Sequence, residues 1–548
     1  MSHDINKDVI PVIDLFAGPG GLNEGFSHEI DEKLRFKSVL SVEKEVPEHK
    51  TLSLRAFYRF FLYKNKEVPQ EYYDYIQNKN ISRDELWNKF PEAAQEANEE
   101  ALLYTLGDDH GDKGFSYLAE KITKALNGEK NWLLIGGPPC QAYSLVGRSK
   151  QLGEFKKTEN SSKDAETKFY SDPRHKLYRQ YLRIIALFSP AVFVMENVKG
   201  ILSAKLDGSP IFDRILKDLR EPNVSAKEYG WDSKSNYTYH IVSFVTGTEP
   251  ESHKDYLIKS EDYGIPQARH RVILLGIRCD IWDKIDHQVE KLVEQKETTV
   301  EDVIKNLPKT RSHFSKKDDT PEKWNQYLVN FLKKSRASQL EQKVIEEISR
   351  FAVERERFIK DQSSTNEYNN QDKELFDGWY YDARLNTFLN HESRAHMASD
   401  LYRYLFVATK GYMDHISPKL ADFPCFLLPK HKNVIRGRNR RSEQNEQKFS
   451  DRFKVQLWDK PSSTITSHIS KDGHYFIHPD PVQCRSLTVR EAARLQTFPD
   501  NYFFEGNRTQ QYHQVGNAVP PYLAYQLSKI VFGIFDKVMQ KGIKSKHG

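Results

Sequence analysis

The stretch "VIPVIDLFAGPGGLNEGF", residues 9–26, decides the fold. A continuous apolar run, VIPVIDLF, breaks off at AGPGG and then resumes as the start of a helix. A run apolar at every position, rather than at alternate ones, marks a strand buried on both faces, as in a parallel sheet covered by helices. The same form recurs at 36–43 (FKSVLSVE), 131–139 (NWLLIGGPP), 190–198 (PAVFVMENV) and 271–278 (RVILLGIR). Each run meets a polar or turn-forming residue where the strand ends. The chain is therefore read as α/β with a mostly parallel sheet. In such sheets ligands sit beyond the carboxyl ends of the strands.

The residues at those ends carry chemistry. Gly18, Gly20 and Gly21 let the backbone turn sharply and approach a ligand, and the helix that follows offers free N–H groups. Glu43 ends the second run, where an acid can accept hydrogen bonds from ribose hydroxyls. Asp108, in LGDDHGD, is placed to serve an adenine amino group. In "LLIGGPPCQAYSLVGR", residues 133–148, Pro138 and Pro139 stiffen the backbone just before Cys140. A lone cysteine is ordinarily a packing thiol. One set at the mouth of a rigid turn beyond a strand suits a nucleophile, given a cationic or hydrogen-bonding setting. Glu196, in MENVKG, brings a carboxyl able to bond a ring nitrogen. Arg269 and Arg271, in PQARHRV, stand at alternate positions before a further strand and can share a face.

Bulk properties narrow the classes. At 548 residues the chain exceeds one compact core and implies more than one domain. No apolar run reaches the roughly 18 residues of a membrane helix. The N-terminus lacks the pattern of a signal peptide, so a cytoplasmic protein is expected. Four scattered cysteines form no CxxC pair, which indicates neither a zinc site nor a disulfide framework; no metal is expected. With 82 basic against 77 acidic residues, net charge says little about partners. Local charge says more. Residues 430–454 hold nine Lys or Arg against three acids, among them Arg436, Arg438, Arg440 and Arg441. Such clusters suit phosphate contact and base-edge reading.

The βα rhythm is interrupted by a Tyr-, Glu- and Lys-rich helical insertion near 50–105 and by a polar segment at 149–168. It lapses from about 281 to 480, where a charged helical stretch lies at 340–362. Residues 1–280 are read as one domain and 281–500 as another. Residues 501–548 are expected to return to the first.

Taken together, DLFAGPGG, SVEKE, GD (107–108), GGPPCQAYS, MENVKG, PQARHRV, RSLTVREAARLQTFPDNY (485–502) and QVGNAVPP (514–521) resemble the DNA (cytosine-5)-methyltransferases in kind and order. The likeness runs from residue 14 to 521, and KPSSTITSHISKDGHYFIHPD (460–480) resembles the segment that closes the family's target-recognition domain. The resemblance implies a Rossmann-like methyltransferase fold using S-adenosylmethionine on double-stranded DNA, with 1–280 as the catalytic and cofactor-binding domain and 281–500 as the target-recognition domain. It further implies a monomer that acts beside a restriction or other defence system. Cys140 would add to C6 of a flipped cytosine, Glu196 would hold its N3/N4 edge, and Arg269 and Arg271 would support O2 and its surroundings. Phe16, Gly18, Pro19, Gly21, Glu43, Asp108, Pro139, Leu177, Asn517 and Val519 match cofactor-contacting positions. Gln141, Ser144 and Arg148 would close over the base and touch DNA. One departure stands out: the residue after the ribose-binding acid, often aromatic in the family, is Lys44.

Two rivals are weaker. The tRNA-modifying cousins carry Cys-Phe-Thr in the recognition region, whereas this chain has Cys425-Phe426-Leu427. A binding-only relative would lack the cysteine or the glycine turn, and both are present.

Overall fold

The computed structural model describes residues 9–107, 114–139, 173–206, 209–233, 235–315, 318–332, 339–360, 367–368, 373–429 and 452–547. Its centre is an eight-stranded sheet. The strands are β1 (Ile10–Leu15), β2 (Phe36–Glu43), β3 (Ala101–Leu103), β4 (Leu133–Gly136), β5 (Val192–Val198), β6 (Tyr239–Ser243), β7 (Leu257–Lys259) and β8 (His270–Arg278). They lie in the order β3-β2-β1-β4-β5-β8-β6, with β7 also on β8. The first five pair in parallel, and β8 runs antiparallel to β5, β6 and β7.

The unbroken apolar runs follow from burial on both faces. Ile10 and Val12 point into one core and Ile13 and Leu15 into the other; Leu133 and Ile135 are likewise opposed to Leu134. The first face is covered by α1 (Gly21–Phe26) and a long C-terminal helix, Pro521–His547, which brings Leu523, Leu527, Ile530, Val531 and Ile534 onto the sheet at helical spacing. The opposite face is covered by α6 (Phe115–Leu126), with Leu118, Ile122 and Leu126 four residues apart. Helices α7 (Pro173–Phe188) and α8 (Ile211–Arg220) complete that cover.

Between β2 and β3 the chain forms α2 (Val46–Tyr63), α3 (Gln70–Ile76), α4 (Arg83–Lys89) and α5 (Pro91–Glu100). Their core of Phe57, Phe60, Tyr72, Leu86 and Ala97 also takes in Leu385 and Leu389 from far along the chain. The second half has two cores. One joins Val300 and Val303 to Trp379, Ile465 and the segment from Leu487 to Ala518. The other is built on helix Ala398–Asp414 and receives Val344 and Ile348 of the charged helix Gln342–Lys360, whose Phe351 ring meets Tyr412 edge-on. No helix among the described residues is long and apolar enough to cross a membrane.

Candidate active site

The ends of β1, β2, β4 and β5 and the start of β8 meet at one edge of the sheet, because antiparallel pairing sets Arg271 beside Val198 at the end of β5. Beyond β1 the backbone enters the left-handed region at Phe16 (φ 59°), Gly18 (φ 56°) and Gly20 (φ 94°). For Phe16 this conformation costs on the order of 1–3 kcal/mol, a strain that persists only where surrounding contacts enforce it. The turn is tied to β2: the Gly18 N–H donates to Glu43 Oε2 at 2.8 Å. Glu43 Oε1 accepts from the N–H groups of Lys44 and Glu45, each at 2.8 Å. Burial raises the Glu43 carboxyl above its usual range, and the three backbone donors oppose the rise. A carboxylate offers about four lone-pair sites, so Glu43 keeps capacity for a further donor. Lys44 points instead to Glu45, 3.0 Å away.

The turn also meets the C-terminal segment. A Cβ on Gly21 would stand 2.3 Å from Val519 O, and one on Gly25 would stand 2.3 Å from Pro521 O. Only glycines allow α1 to lie this close to residues 518–525. Val519 and the glycine turn, from opposite ends of the chain, are thereby neighbours. Asn517 Nδ2 lies 3.3 Å from the His513 ring nitrogens and is exposed. Leu177 packs beside Gly107, whose Cβ would be 3.6 Å from Leu177 Cδ2. Beside Gly18, no atom of the described residues other than its chain neighbours lies within 4 Å of where a Cβ would be. A strained glycine turn, open space at Gly18 and a carboxylate with spare acceptor capacity fit a nucleoside-bearing methyl donor.

The second cluster lies at β4, β5 and β8. Arg271 Nε is 2.8 Å from Glu196 Oε1, with both side chains largely buried. Glu196 Oε2 would lie 2.8 Å from a Cβ on Gly137, so the second glycine of GGPP is what gives the carboxylate room. Pro139 follows two residues later. Arg269, at 2% exposure, turns to other partners: it donates to Ile465 O at 2.8 Å and, at 3.4 Å, to Gly516 O. Burial and the nearby Arg271 depress its pKa, and Glu196 acts against them. Of the two arginines, Arg271 meets the carboxylate and Arg269 ties the start of β8 to Ile465 and to Gly516. Gln267 reinforces that tie, donating to Leu495 O and accepting from the Ile465 N–H.

Cys140, Gln141, Ser144, Arg148 and Asp108 lie outside the described residues, as do Arg436, Arg438, Arg440 and Arg441. Sequence reasoning did not single out Gly137, whose signal was a second glycine before the prolines. It also passed over Tyr502, whose hydroxyl donates to Pro19 O, and for that contact the local sequence holds no signal.

A mostly parallel sheet that ends in antiparallel strands, with a glycine turn and an acid closing its first two strands, is the fold of S-adenosylmethionine-dependent methyltransferases. Comparison with known proteins refines the class. A family model described as C-5 cytosine-specific DNA methylase matches residues 119–532. The chain is 34% identical over 534 residues to the type II methyltransferase M.Bpa9945I of Bacillus paralicheniformis, covering 95% of this chain and 98% of that one. It is 24% identical over 539 residues to the type II methyltransferase M.DdeI of Desulfomicrobium norvegicum, covering 96% and 89%. A DNA (cytosine-5-)-methyltransferase of Aeropyrum pernix, M.ApeKI, is 24% identical over 445 residues, covering 75% and 83%. The chain belongs to the C-5 cytosine-specific DNA methylase family, and its activity is that of a DNA (cytosine-5-)-methyltransferase.

Proposed function

We propose that the protein methylates C5 of a cytosine flipped out of duplex DNA at one sequence, through a transient bond between Cys140 and C6. The observation that carries this reading is the Glu196–Arg271 pair, held at 2.8 Å beside the glycine and prolines that lead directly into Cys140. S-adenosylmethionine, when bound, supplies an electrophilic methyl group.

The residues divide the work as follows. Addition of the Cys140 thiolate to C6 breaks the ring's aromaticity and turns C5 into a nucleophilic carbon. Glu196 holds the N3/N4 edge and stabilises the charge that develops there. Arg271, paired with Glu196, would support the base's O2 and its surroundings, while Arg269 braces the start of β8 through Ile465 O and Gly516 O. Loss of the C5 proton to a base lets the thiolate leave and restores the ring. A ring carbon cannot be attacked inside the stack, so flipping is required, at a cost of a few kcal/mol. Gln141, Ser144 and Arg148 would close over the base. Phe16, Gly18, Pro19, Gly21, Glu43, Asp108, Pro139, Leu177, Asn517 and Val519 would hold the methyl donor.

The division into 1–280, 281–500 and 501–548 belongs to the same proposal. Packing of the C-terminal helix against α1 supports the return of the last segment to the first. Arg436, Arg438, Arg440 and Arg441 would face DNA. The relatives' type II names support a restriction–modification setting.

The test is nucleoside mass spectrometry of DNA and tRNA, with bisulfite sequencing of the same DNA, from a host without its own cytosine methylation that expresses the protein. 5-Methyldeoxycytidine at one DNA sequence, absent with Cys140→Ala, is expected. Methyl groups on cytosine N4, on adenine, or only on tRNA would overturn the reading.

A further inference from the structure

Pro19 has no backbone N–H, so its carbonyl is its only hydrogen-bonding group. That carbonyl accepts a hydrogen bond from the hydroxyl of Tyr502, a residue with no exposed surface. The same hydroxyl would stand 3.1 Å from a Cβ on Gly20. The phenol cannot swing away. The Arg55 guanidinium lies 5.0 Å from its ring centroid, the rings of Phe498 and Phe504 flank it, and Arg490 Nη2 donates to the Tyr502 carbonyl at 2.6 Å. Arg55 in turn donates through Nε and Nη2 to both oxygens of Glu24. The Glu24 N–H closes back onto Gly20 O at 2.8 Å. The glycine turn is thus gripped twice, once through Pro19 and once through the first turn of α1, and Arg55 of the insertion joins the two grips.

We propose that Tyr502 is a positioning residue for the methyl donor: its hydroxyl keeps the turn at residues 18–21 in the donor-binding conformation before the donor arrives. The inference rests on the reading that this turn holds S-adenosylmethionine. Removing the hydroxyl leaves a buried carbonyl unpaired and lets the turn populate other conformations. Apparent affinity then falls by the fraction that remains competent.

The full chain, as wild type, Tyr502→Phe and Glu43→Ala, is titrated calorimetrically with S-adenosylhomocysteine, and steady-state rates are measured with DNA. Tyr502→Phe should bind about ten-fold more weakly, in line with one lost buried hydrogen bond. KM for S-adenosylmethionine should rise equally, with kcat and KM for DNA within two-fold of wild type. Unchanged binding of S-adenosylhomocysteine would overturn the inference. So would a loss confined to kcat or to DNA affinity, which marks a merely structural role. A second variant, Arg55→Lys, keeps the charge but loses the fork on Glu24. It should weaken binding about three-fold, and unchanged binding there counts equally against the proposal. If wild type binds normally and Glu43→Ala does not, the donor site stands whatever Tyr502→Phe does. A wild type that fails to bind would remove the donor-site reading and this inference together.

Discussion

Gly137 shows how much of the site rests on one missing side chain. An added Cβ would stand 2.8 Å from Glu196 Oε2, inside contact distance, with Arg271 holding the other oxygen. Gly137→Ala should therefore turn the carboxylate while the strand remains. We expect kcat to fall about 10–100-fold, the size of effect an ångström-scale misplacement produces, with an unchanged thermal midpoint. Asp14 illustrates the reverse situation. It is buried, neither carboxyl oxygen has a hydrogen-bond partner among the described residues, and burial raises its pKa well above the ordinary value. The native state thus holds a proton that the unfolded state releases above about pH 4. Stability falls as pH rises from there through Asp14's raised native pKa. Asp14→Asn should flatten that slope, which urea unfolding between pH 4 and 7 would show; an unaltered slope would contradict it.

At the scale of elements, the sheet was legible where strands are buried on both faces. Runs 9–16, 36–43, 131–139, 190–198 and 271–278 correspond to β1, β2, β4, β5 and β8. Strands β3 and β7 are three residues long, with exposed ends, and β6 is five; segments this short leave little periodicity to read. The insertion read as helical, and Ser82-Arg-Asp-Glu85 forms a capping box at the start of α4. Its docking was not legible, since Leu385, Leu389 and Asp382, which receives Tyr73, come from a distant segment. Helix α2 makes the insertion structural. Arg55 pairs with Glu24, and Arg59 with Glu100, in buried surroundings. Burial alone would raise the Glu24 pKa, but Arg55 outweighs it and the net shift is downward. Arg55→Met should destabilise by about 3–5 kcal/mol, because Glu24 keeps its charge without its main counter-ion. Adding Glu24→Gln should recover much of the loss in a double-mutant cycle. A double variant no more stable than Arg55→Met would contradict the pairing.

For the whole molecule, the motif residues at the sheet's edge were readable because their chemistry is tied to strand ends. The second half was not, because its cores join segments such as 300–304, 465–469 and 487–518 that carry no shared period. Among its described residues four histidines are buried. His391 is pushed down to about 4 by burial, and burial also lowers His396, His474 and His478. His391 sits between Thr488 Oγ1 and Pro308 O. The unfolded chain takes up protons below about pH 6.5 that the native state refuses. Stability should therefore fall as pH drops from about 6.5 toward 4, by roughly 3 kcal/mol for His391 alone. Denaturant midpoints recorded between pH 7.5 and 4.5 for wild type and His391→Gln would show the steeper decline in the wild type; equal slopes would contradict it.

The proposed reaction turns on the bond between Cys140 and the cytosine ring. Once the target sequence is known, a duplex carrying 5-fluorodeoxycytidine at that position is incubated with the protein and S-adenosylmethionine, and the product is resolved under denaturing conditions. Fluorine cannot leave as a proton does, so a denaturation-resistant protein–DNA adduct that peptide mapping assigns to Cys140 is expected. Normal turnover on ordinary DNA with no adduct, or an adduct at another residue, would contradict it.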